Sequence, residues 1–526
     1  MMHEKFIFFL ALVVAIVLLI ILSQKIRVAY PILLVIAGLV ISFIPGVPAI
    51  TIDPDLIFII FLPPLLYEAA WNISFKQLWK WRRIITSFAF IVVFFTAFAV
   101  GITAYYLIPG FTLALGFLLG GIVSPPDAVS AGAIMKFVKV PKSVSSILEG
   151  ESLLNDASSL IIFQFAMIAV LTGKFVWYEA AGSFFWMVTG GVGIGLLIGK
   201  IFMEVHKKLP TDANIDTVLT LVAPYIMYLT AEEVHSSGVL AVVSGGLFLS
   251  RHQQEFLGSA SRLRTINVWQ SFGFLLNGIV FMMIGLDLPQ IISELGDTSI
   301  TTAIGYGVLI TAVLVVVRFI SSYGAIAVTL VMRNFITVAS RENPGWKIPM
   351  IFGWSGMRGV VSLAAALSIP VSMSDGTVFP QRNLILFITF VVILLTLVIQ
   401  GLTLPPMIRL LKLPADSRGQ EKEEDARLFR ELTYDTISYM KNKYGYVAEK
   451  YPFLSQMVKQ WEKKYDDMEN VCSHSDSKKI YLELLQYQRR WLVEKNLEMK
   501  NLDDEIVRRQ LMRIDLEEER LNYTSF

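Results

Sequence analysis

Apolar residues in this chain gather into long runs, not into alternating or amphipathic patterns, and polar residues are confined mostly to the gaps between runs. A helix that crosses a bilayer needs about 20 mostly apolar residues. Thirteen stretches meet that description, near 6–23, 28–44, 56–72, 84–107, 111–135, 149–172, 177–205, 215–233, 236–250, 268–287, 299–332, 348–372 and 383–408. The ninth is short, and fusion of the eighth and ninth into one re-entrant hairpin is the competing count. No small-residue cleavage site precedes Gln24-Lys25, so the first stretch reads as a retained helix and not as a signal peptide.

Charge divides the chain in two. Residues 415–526 hold 20 Lys/Arg and 23 Asp/Glu, whereas residues 1–414 hold 25 and 20. The expected organisation is therefore a transmembrane domain over 1–414 and a water-soluble tail over 415–526. Lysine and arginine mark cytoplasmic loops, and alternate loops carry 19 of them against three, Lys5, Lys174 and Arg382, in the other set. This asymmetry places the N-terminus outside and the tail in the cytoplasm; a twelve-span count would break the alternation. In the tail, Ser417-Arg418-Gly419 makes a hinge, and 428–440 and 480–520 have helical spacing of apolar residues among charges.

Composition removes several function classes. The formal net charge of +2 gives no basic field for nucleic acid. A single cysteine, Cys472, rules out a disulfide framework and any multi-cysteine metal site. The five histidines, at 3, 206, 235, 252 and 474, are scattered. Carboxylates, amides, hydroxyls and backbone remain to do the chemistry, with no cofactor.

Ionisable groups inside spans cost several kcal/mol unless paired or hydrated, and here they are few. Glu68 follows Pro63-Pro64 in span 3. Asp127 follows Ser124-Pro125-Pro126 in span 5. Span 6 contains Gly150-Glu151-Ser152-Leu153-Leu154-Asn155-Asp156, span 11 carries Arg318, and span 12 contains Gly356-Met357-Arg358-Gly359. Glu151, Asn155 and Ser159 recur at i, i+4 and i+8, and Ser152, Asp156 and Ser159 at i, i+4 and i+7, so their polar atoms form one stripe on a helix. Adjacent prolines predict unwinding around 123–127, and the glycines of span 12 mark a second candidate break. Spans 5 and 12 are seven apart and so run in opposite directions, as they would if spans 1–6 and 8–13 were inverted repeats. Paired interrupted helices of this kind point to a transporter's midplane site.

Charge pairing suggests roles. Arg358 stays protonated and requires an acid, Glu151 or Glu68; Glu151 is the expected partner, as structural support. Asp156 is then the cation and proton site, with Asn155, Ser152 and oxygens of span 5 beside it. A carboxylate out of water keeps its charge only with a cation at hand, so proton and cation compete for it, and small hard cations take oxygen ligands.

The Ser-Pro-Pro-Asp-Ala-Val run at 124–129, Gly-Glu-Ser-Leu-Leu-Asn-Asp at 150–156 and Gly-Met-Arg-Gly at 356–359 resemble, in this order and spacing, the monovalent cation:proton antiporter-1 family. That family includes bacterial sodium/proton antiporters of the NhaP kind and animal sodium/proton exchangers. The resemblance covers about residues 1–414. It implies an all-α polytopic membrane protein of thirteen spans with crossed unwound helices 5 and 12, a homodimer, and alternating access by an elevator-like movement. Asp156 matches the essential cation- and proton-binding aspartate. Asn155 stands where electrogenic relatives have a second aspartate, which implies electroneutral 1:1 exchange. Ser152 and Glu68 match positions that complete the cation site or its polar network, and Glu151 with Arg358 resembles a core ion pair. Many relatives read Thr-Asp-Pro at the crossing; here Pro126-Asp127-Ala128 lacks the threonine hydroxyl, so Ser124 or a span 5 carbonyl is the substitute ligand, with Asp127 as the other candidate.

The expected function is antiport of cytoplasmic sodium or lithium for external protons by a multi-pass protein of the cell membrane, in contact with membrane lipid. Potassium is the alternative cation. A cation channel and an intramembrane hydrolase using Asp127 and Asp156 are rivals from other classes. ATP drive is disfavoured, since no phosphate-binding Gly-x-x-x-x-Gly-Lys-Ser/Thr loop occurs. The tail is a candidate for binding a regulatory ligand or protein.

Overall fold

The computed structural model describes residues 2–26, 28–44, 59–135, 138, 140–173, 177–293, 295, 298–332, 345–373 and 376–412, and in the C-terminal part 427, 430–444, 452–467, 482–491, 494, 510–511, 513–518 and 520. Pro45-Gly46-Val47-Pro48, Ser374-Asp375, the expected tail hinge at 417–419 and Cys472 lie outside the described residues.

Contacts divide the chain into two compact units, Met1–Ser417 and Arg418–Phe526. The first is all-helical. Its elements are α1 (Met2–Ile26), α2 (Tyr30–Ser42), α3 (Leu62–Asn72), α4 (Phe75–Leu107), α5a (Leu113–Val123), α5b (Ala128–Met135), α6 (Lys142–Thr172), α7 (Trp177–Lys208) and α8 (Ala213–Glu233). There follow α9 (Gly238–Phe256), α10 (Ser259–Leu286), α11 (Ile300–Met332), α12a (Lys347–Trp354), α12b (Val360–Leu367) and α13 (Arg382–Leu411). Seven helices among the described residues are long and apolar enough to cross a membrane, within α1, α4, α6, α7, α10, α11 and α13. Large apolar side chains lie exposed along them, among them Phe6, Leu18, Ile91, Phe185, Ile201 and Ile320. In a chain with this composition such a surface is solvated by lipid tails and not by water.

The eighth and ninth apolar stretches are separate helices, α8 and α9, joined by a turn at 234–237. Their boundary follows from capping, since Ser237 accepts a hydrogen bond from the Leu240 amide at 3.2 Å as α9 begins.

Buried apolar residues form two main clusters. One joins α1, α2, α4 to α6 and α10 to α13; the other joins α3, α7, α8 and α9, with Leu153 and Ala157 of α6 and Trp269 of α10. Small residues allow the close approaches within the first cluster. Gly116 and Gly120 of α5a sit on the Gly101 and Ala97 carbonyls of α4, and a Cβ at Gly121 would strike the Phe163 backbone of α6. Packing by close backbone approach is the usual route in a bilayer, where burial of apolar side chains gains little. α5a is thereby held between α4 and α6 at the point where it breaks.

In the second unit, a helix over 430–444 and another at Pro452–Asp467 are described, with Lys441 paired to Glu462 at 2.7 Å. Arg489 bridges Asp515 at 2.6 Å and Glu518 at 2.7 Å over a small contact of Leu485 with Ile514.

Candidate functional site

α5 and α12 are both interrupted. α5a stops at Val123 and helix resumes at Ala128; α12a stops at Trp354 and helix resumes at Val360. The prolines at 125 and 126 supply no backbone donors and disfavour helix at the residue before them, which accounts for the first break. The two breaks meet: the Asp127 amide donates to the Met357 carbonyl at 2.7 Å. Broken helices inside an apolar protein need such partners, because neither break can satisfy its own backbone there.

Asp127 sits at the start of α5b as its cap. Its carboxylate accepts from the Val129 amide at 3.0 Å, the Ser130 amide at 3.2 Å and the Ser130 hydroxyl at 2.5 Å. Those three bonds bind the side chain to the first turn of α5b. Gly359 makes room for it, since a Cβ at that position would collide with the Asp127 carboxylate. Ser124 is buried and its hydroxyl donates to the Gly121 carbonyl at 3.3 Å, closing the end of α5a.

α6 brings its polar stripe to this crossing. Asn155 is fully buried; its Nδ2 donates to the Pro126 carbonyl at 3.1 Å, and its Oδ1 has no hydrogen-bond partner. Asp156, 9% exposed, makes no hydrogen bond or ion pair through its carboxylate among the described residues, while Asp127 lies within electrostatic range. Ser159 donates to the Asp156 carbonyl at 3.0 Å and Ser158 to the Ala89 carbonyl of α4 at 2.5 Å. The Ser158 bond is possible because α4 is π-helical over Ser87–Val92, which disturbs the regular ladder. Ser152 is partly buried on the same helix.

Glu151 pairs with Arg318 of α11 and not, as the sequence suggested, with Arg358. Arg318 Nη1 and Nη2 engage the two carboxylate oxygens, the second at 2.7 Å, and Arg318 Nε donates to the Phe352 carbonyl at 3.2 Å. The Phe88 ring of α4 lies 5.3 Å from the guanidinium carbon. Both charges are almost wholly buried, and the two-pronged geometry is the one a guanidinium and a carboxylate favour. Arg358 is also buried, but its amide donates to Thr396 Oγ1 at 3.1 Å and its Nε and Nη1 have no hydrogen-bond partner. It lies within electrostatic reach of both members of the pair without joining it.

Glu68 enters from α3, and its carboxylate lies against Gly273 of α10, where a Cβ would overlap it. Thus Asp127, Asn155, Asp156 and Ser124 gather on three adjoining helical segments, whereas Glu68 belongs to the α3–α10 contact. Sequence reasoning passed over several buried polar residues, among them Ser130, Ser158, Asn277, which donates to the Gly273 carbonyl at 2.9 Å, and Thr396 and Gln400 in the π-turn of α13. An amide inside an apolar run was the available signal for Asn277 and Gln400. Among the described residues no three His, Cys, Asp or Glu side chains converge as a multivalent metal centre.

Residues 11–410 match the family model described as "Sodium/hydrogen exchanger, transmembrane". The chain is 35% identical over 388 residues to the "Sodium, potassium, lithium and rubidium/H(+) antiporter" of Bacillus subtilis, covering 71% of this chain and 57% of that one. It therefore spans little more than half the length of that relative. It is 33% identical over 414 residues to the Na(+)/H(+) antiporter ApNhaP of Aphanothece halophytica, covering 78% and 75%. An uncharacterised Na(+)/H(+) exchanger of Mycobacterium tuberculosis is 30% identical over 536 residues, covering 97% and 95%. The fold resembles the sodium proton antiporter MjNhaP1 from Methanocaldococcus jannaschii at pH 8, with a TM-score of 0.61 at 17% identity over 78% of this chain and 99% of that one. With a family match that covers the whole helical unit around the crossing, the chain belongs to the sodium/hydrogen exchanger family of membrane transporters.

Proposed function

We propose that this protein is a secondary antiporter that exchanges one monovalent cation for one proton at Asp156. The observation that carries the reading is the Asp156 carboxylate itself, nearly buried and without a hydrogen bond or ion pair among the described residues, beside the crossing of two broken helices. A carboxylate in that position is stable with a proton or with a small cation, and not with neither. The two loads exclude each other, and one titratable site gives electroneutral exchange.

Oxygen ligands for the cation are at hand. The hydrogen bond from Asn155 Nδ2 to the Pro126 carbonyl orients the amide and leaves Oδ1 for a ligand role. Ser152 and the span 5 carbonyls near Ser124 complete the proposed shell, with Glu68 on the approach from α3. Asp127 is assigned to capping α5b, not to direct coordination, because its carboxylate already accepts three hydrogen bonds. The Glu151–Arg318 pair fixes α6 to α11 and so holds the stripe in register.

The proposed topology has thirteen spans in two inverted repeats, with the N-terminus outside and residues 415–526 forming a cytoplasmic helical tail with a regulatory role. The protein is proposed to work as a homodimer in the cell membrane, by alternating access. Sodium and lithium are the proposed cations. Potassium is the second reading, favoured by its place in the name of the Bacillus relative.

Everted vesicles carrying an imposed proton gradient test the assignment. Added sodium or lithium should collapse the gradient without a net current, and potassium should do so more weakly. A current carried by the cation without proton movement would establish a channel instead.

A further inference from the structure

α4 is 33 residues long, about 50 Å at 1.5 Å per residue, against a hydrocarbon thickness of about 30 Å. Its first three turns, Phe75-Lys-Gln-Leu-Trp-Lys-Trp-Arg-Arg-Ile-Ile-Thr86, differ from the apolar run that follows. Leu78, Trp81, Ile84 and Ile85 face the core. Phe75, Lys76, Trp79 and Arg82 fall on the opposite side at helical spacing, with Lys80 at its edge, and Lys76, Trp79, Lys80 and Arg82 are exposed.

Aromatic rings and cations are joined on this face. The Arg82 guanidinium lies 4.6 Å from the Trp79 ring centre while its Nη1 donates to the Trp79 carbonyl at 2.7 Å. Arg251 arrives from the end of α9 and lies 4.6 Å from the Phe75 ring centre. Its position is fixed by the neighbouring Ser250, which donates to the Trp71 carbonyl of α3 at 2.7 Å. Lys76, Lys80, Arg82 and Arg251 form no ion pair among the described residues, whereas Lys207 and Lys208 nearby in sequence to α8 are paired with Glu255 and Glu204. No acidic residue occurs between Glu68 and Asp127 in the sequence.

We infer that this face of α4, together with Arg251, binds the headgroup of an anionic phospholipid. Uncompensated cations call for an anion. The exposed Trp79 and the half-buried Phe75 beside them, on a helix that passes directly into the apolar run, place that anion at the boundary between headgroups and hydrocarbon, where aromatic side chains accumulate. A soluble anion would gain nothing from the rings. The site also has a route to the transport machinery. Ile85 fills the space at Gly150 of α6, Phe88 lies against Arg318, and the Ala89 carbonyl receives Ser158. A lipid that holds the start of α4 therefore steadies the helix against which Glu151 and Asp156 are registered.

The inference goes beyond antiport and does not depend on it, because lipid binding is read without transport. The full-length protein in neutral detergent is titrated with phosphatidylglycerol and, separately, phosphatidylcholine, and bound lipid is counted by native mass spectrometry. Phosphatidylglycerol should bind more tightly. Each of K76Q, K80Q and R82Q should weaken it about fivefold, and the triple variant on the order of 100-fold. The charge-preserving K76R/K80R/R82K variant should bind as the parent does. Should the triple variant fail to fold, K80Q alone carries the test with its expected fivefold loss. Unchanged phosphatidylglycerol binding in the folded triple variant, or in K80Q when the triple variant does not fold, overturns the inference. So does displacement of the lipid by equimolar inorganic phosphate, which would mark a simple anion site.

Discussion

Asp156 and Glu151 are both buried acids on one helix, five residues apart, yet their surroundings assign them opposite work. Glu151 has a permanent cation clamped across it, so neither a proton nor sodium is needed to balance its charge. Asp156 has none. Asp156→Asn should abolish exchange in vesicles while the protein inserts and purifies normally. Arg318→Ala should act through stability, because it strands a buried carboxylate, with an expected loss of about 3–5 kcal/mol. Thermal unfolding in detergent checks this, and Glu151→Gln combined with Arg318→Ala should recover part of the loss. Arg358→Ala should be the milder change, since two of its guanidinium nitrogens have no hydrogen-bond partner to lose. An Arg358→Ala protein less stable than Arg318→Ala would contradict the observed pairing.

At the scale of elements, the crossing depends on how closely α5 and α12 approach. Gly356 and Gly359 look alike in the sequence but differ in surroundings. A Cβ at Gly356 would meet Arg318 Cγ at 3.4 Å, an ordinary contact, whereas at Gly359 it would collide with the Asp127 carboxylate. Gly356→Ala should therefore keep activity and stability. Gly359→Ala should displace the cap of α5b, with a stability loss of about 1–3 kcal/mol and a larger loss of exchange. Thermal unfolding and vesicle flux on the same preparations distinguish the two. Both breaks are also supported from outside: Thr396, the first residue of the π-turn of α13, accepts the Arg358 amide, and Asn155 donates to the Pro126 carbonyl. A π-turn in α4 likewise receives Ser158 of the stripe, through the Ala89 carbonyl.

For the whole molecule, the proposed competition at one carboxylate fixes the sign of the expected pH response. On that proposal protons should fill Asp156 as pH falls, and the apparent cation affinity should drop by about tenfold per pH unit once below the site's own pKa. Flux measured against sodium concentration at several pH values reads this, and an apparent affinity that did not change with pH would refute a shared site. The proposed orientation has an equally direct check. Cys472 is the one cysteine in the sequence, so a membrane-impermeant maleimide should label it in everted vesicles and not in right-side-out ones.

The apolar runs, their breaks and the polar stripe were legible in the residues because each is a local property. Run length answers to bilayer thickness, adjacent prolines remove donors wherever they occur, and residues four apart share a helix face in any helix. The family resemblance rested on the same local runs. The partners were not legible. Arg318 and Arg358 are both buried arginines near Glu151, and desolvation penalises either one if left alone, so charge and burial could not choose between them. The choice followed from packing across 167 residues of sequence, which seats Arg318 on the Phe352 carbonyl and the Phe88 ring with its fork turned to Glu151. Asp127 did carry a local signal, because a carboxylate just after two prolines, with Ser130 three residues on, is placed to cap the helix that follows; that Asp156 meets no partner was not readable from its neighbours in sequence. Which acid is left without a partner, and so open to the proposed cation, depends on distances between helices, and those exist only once the helices have packed.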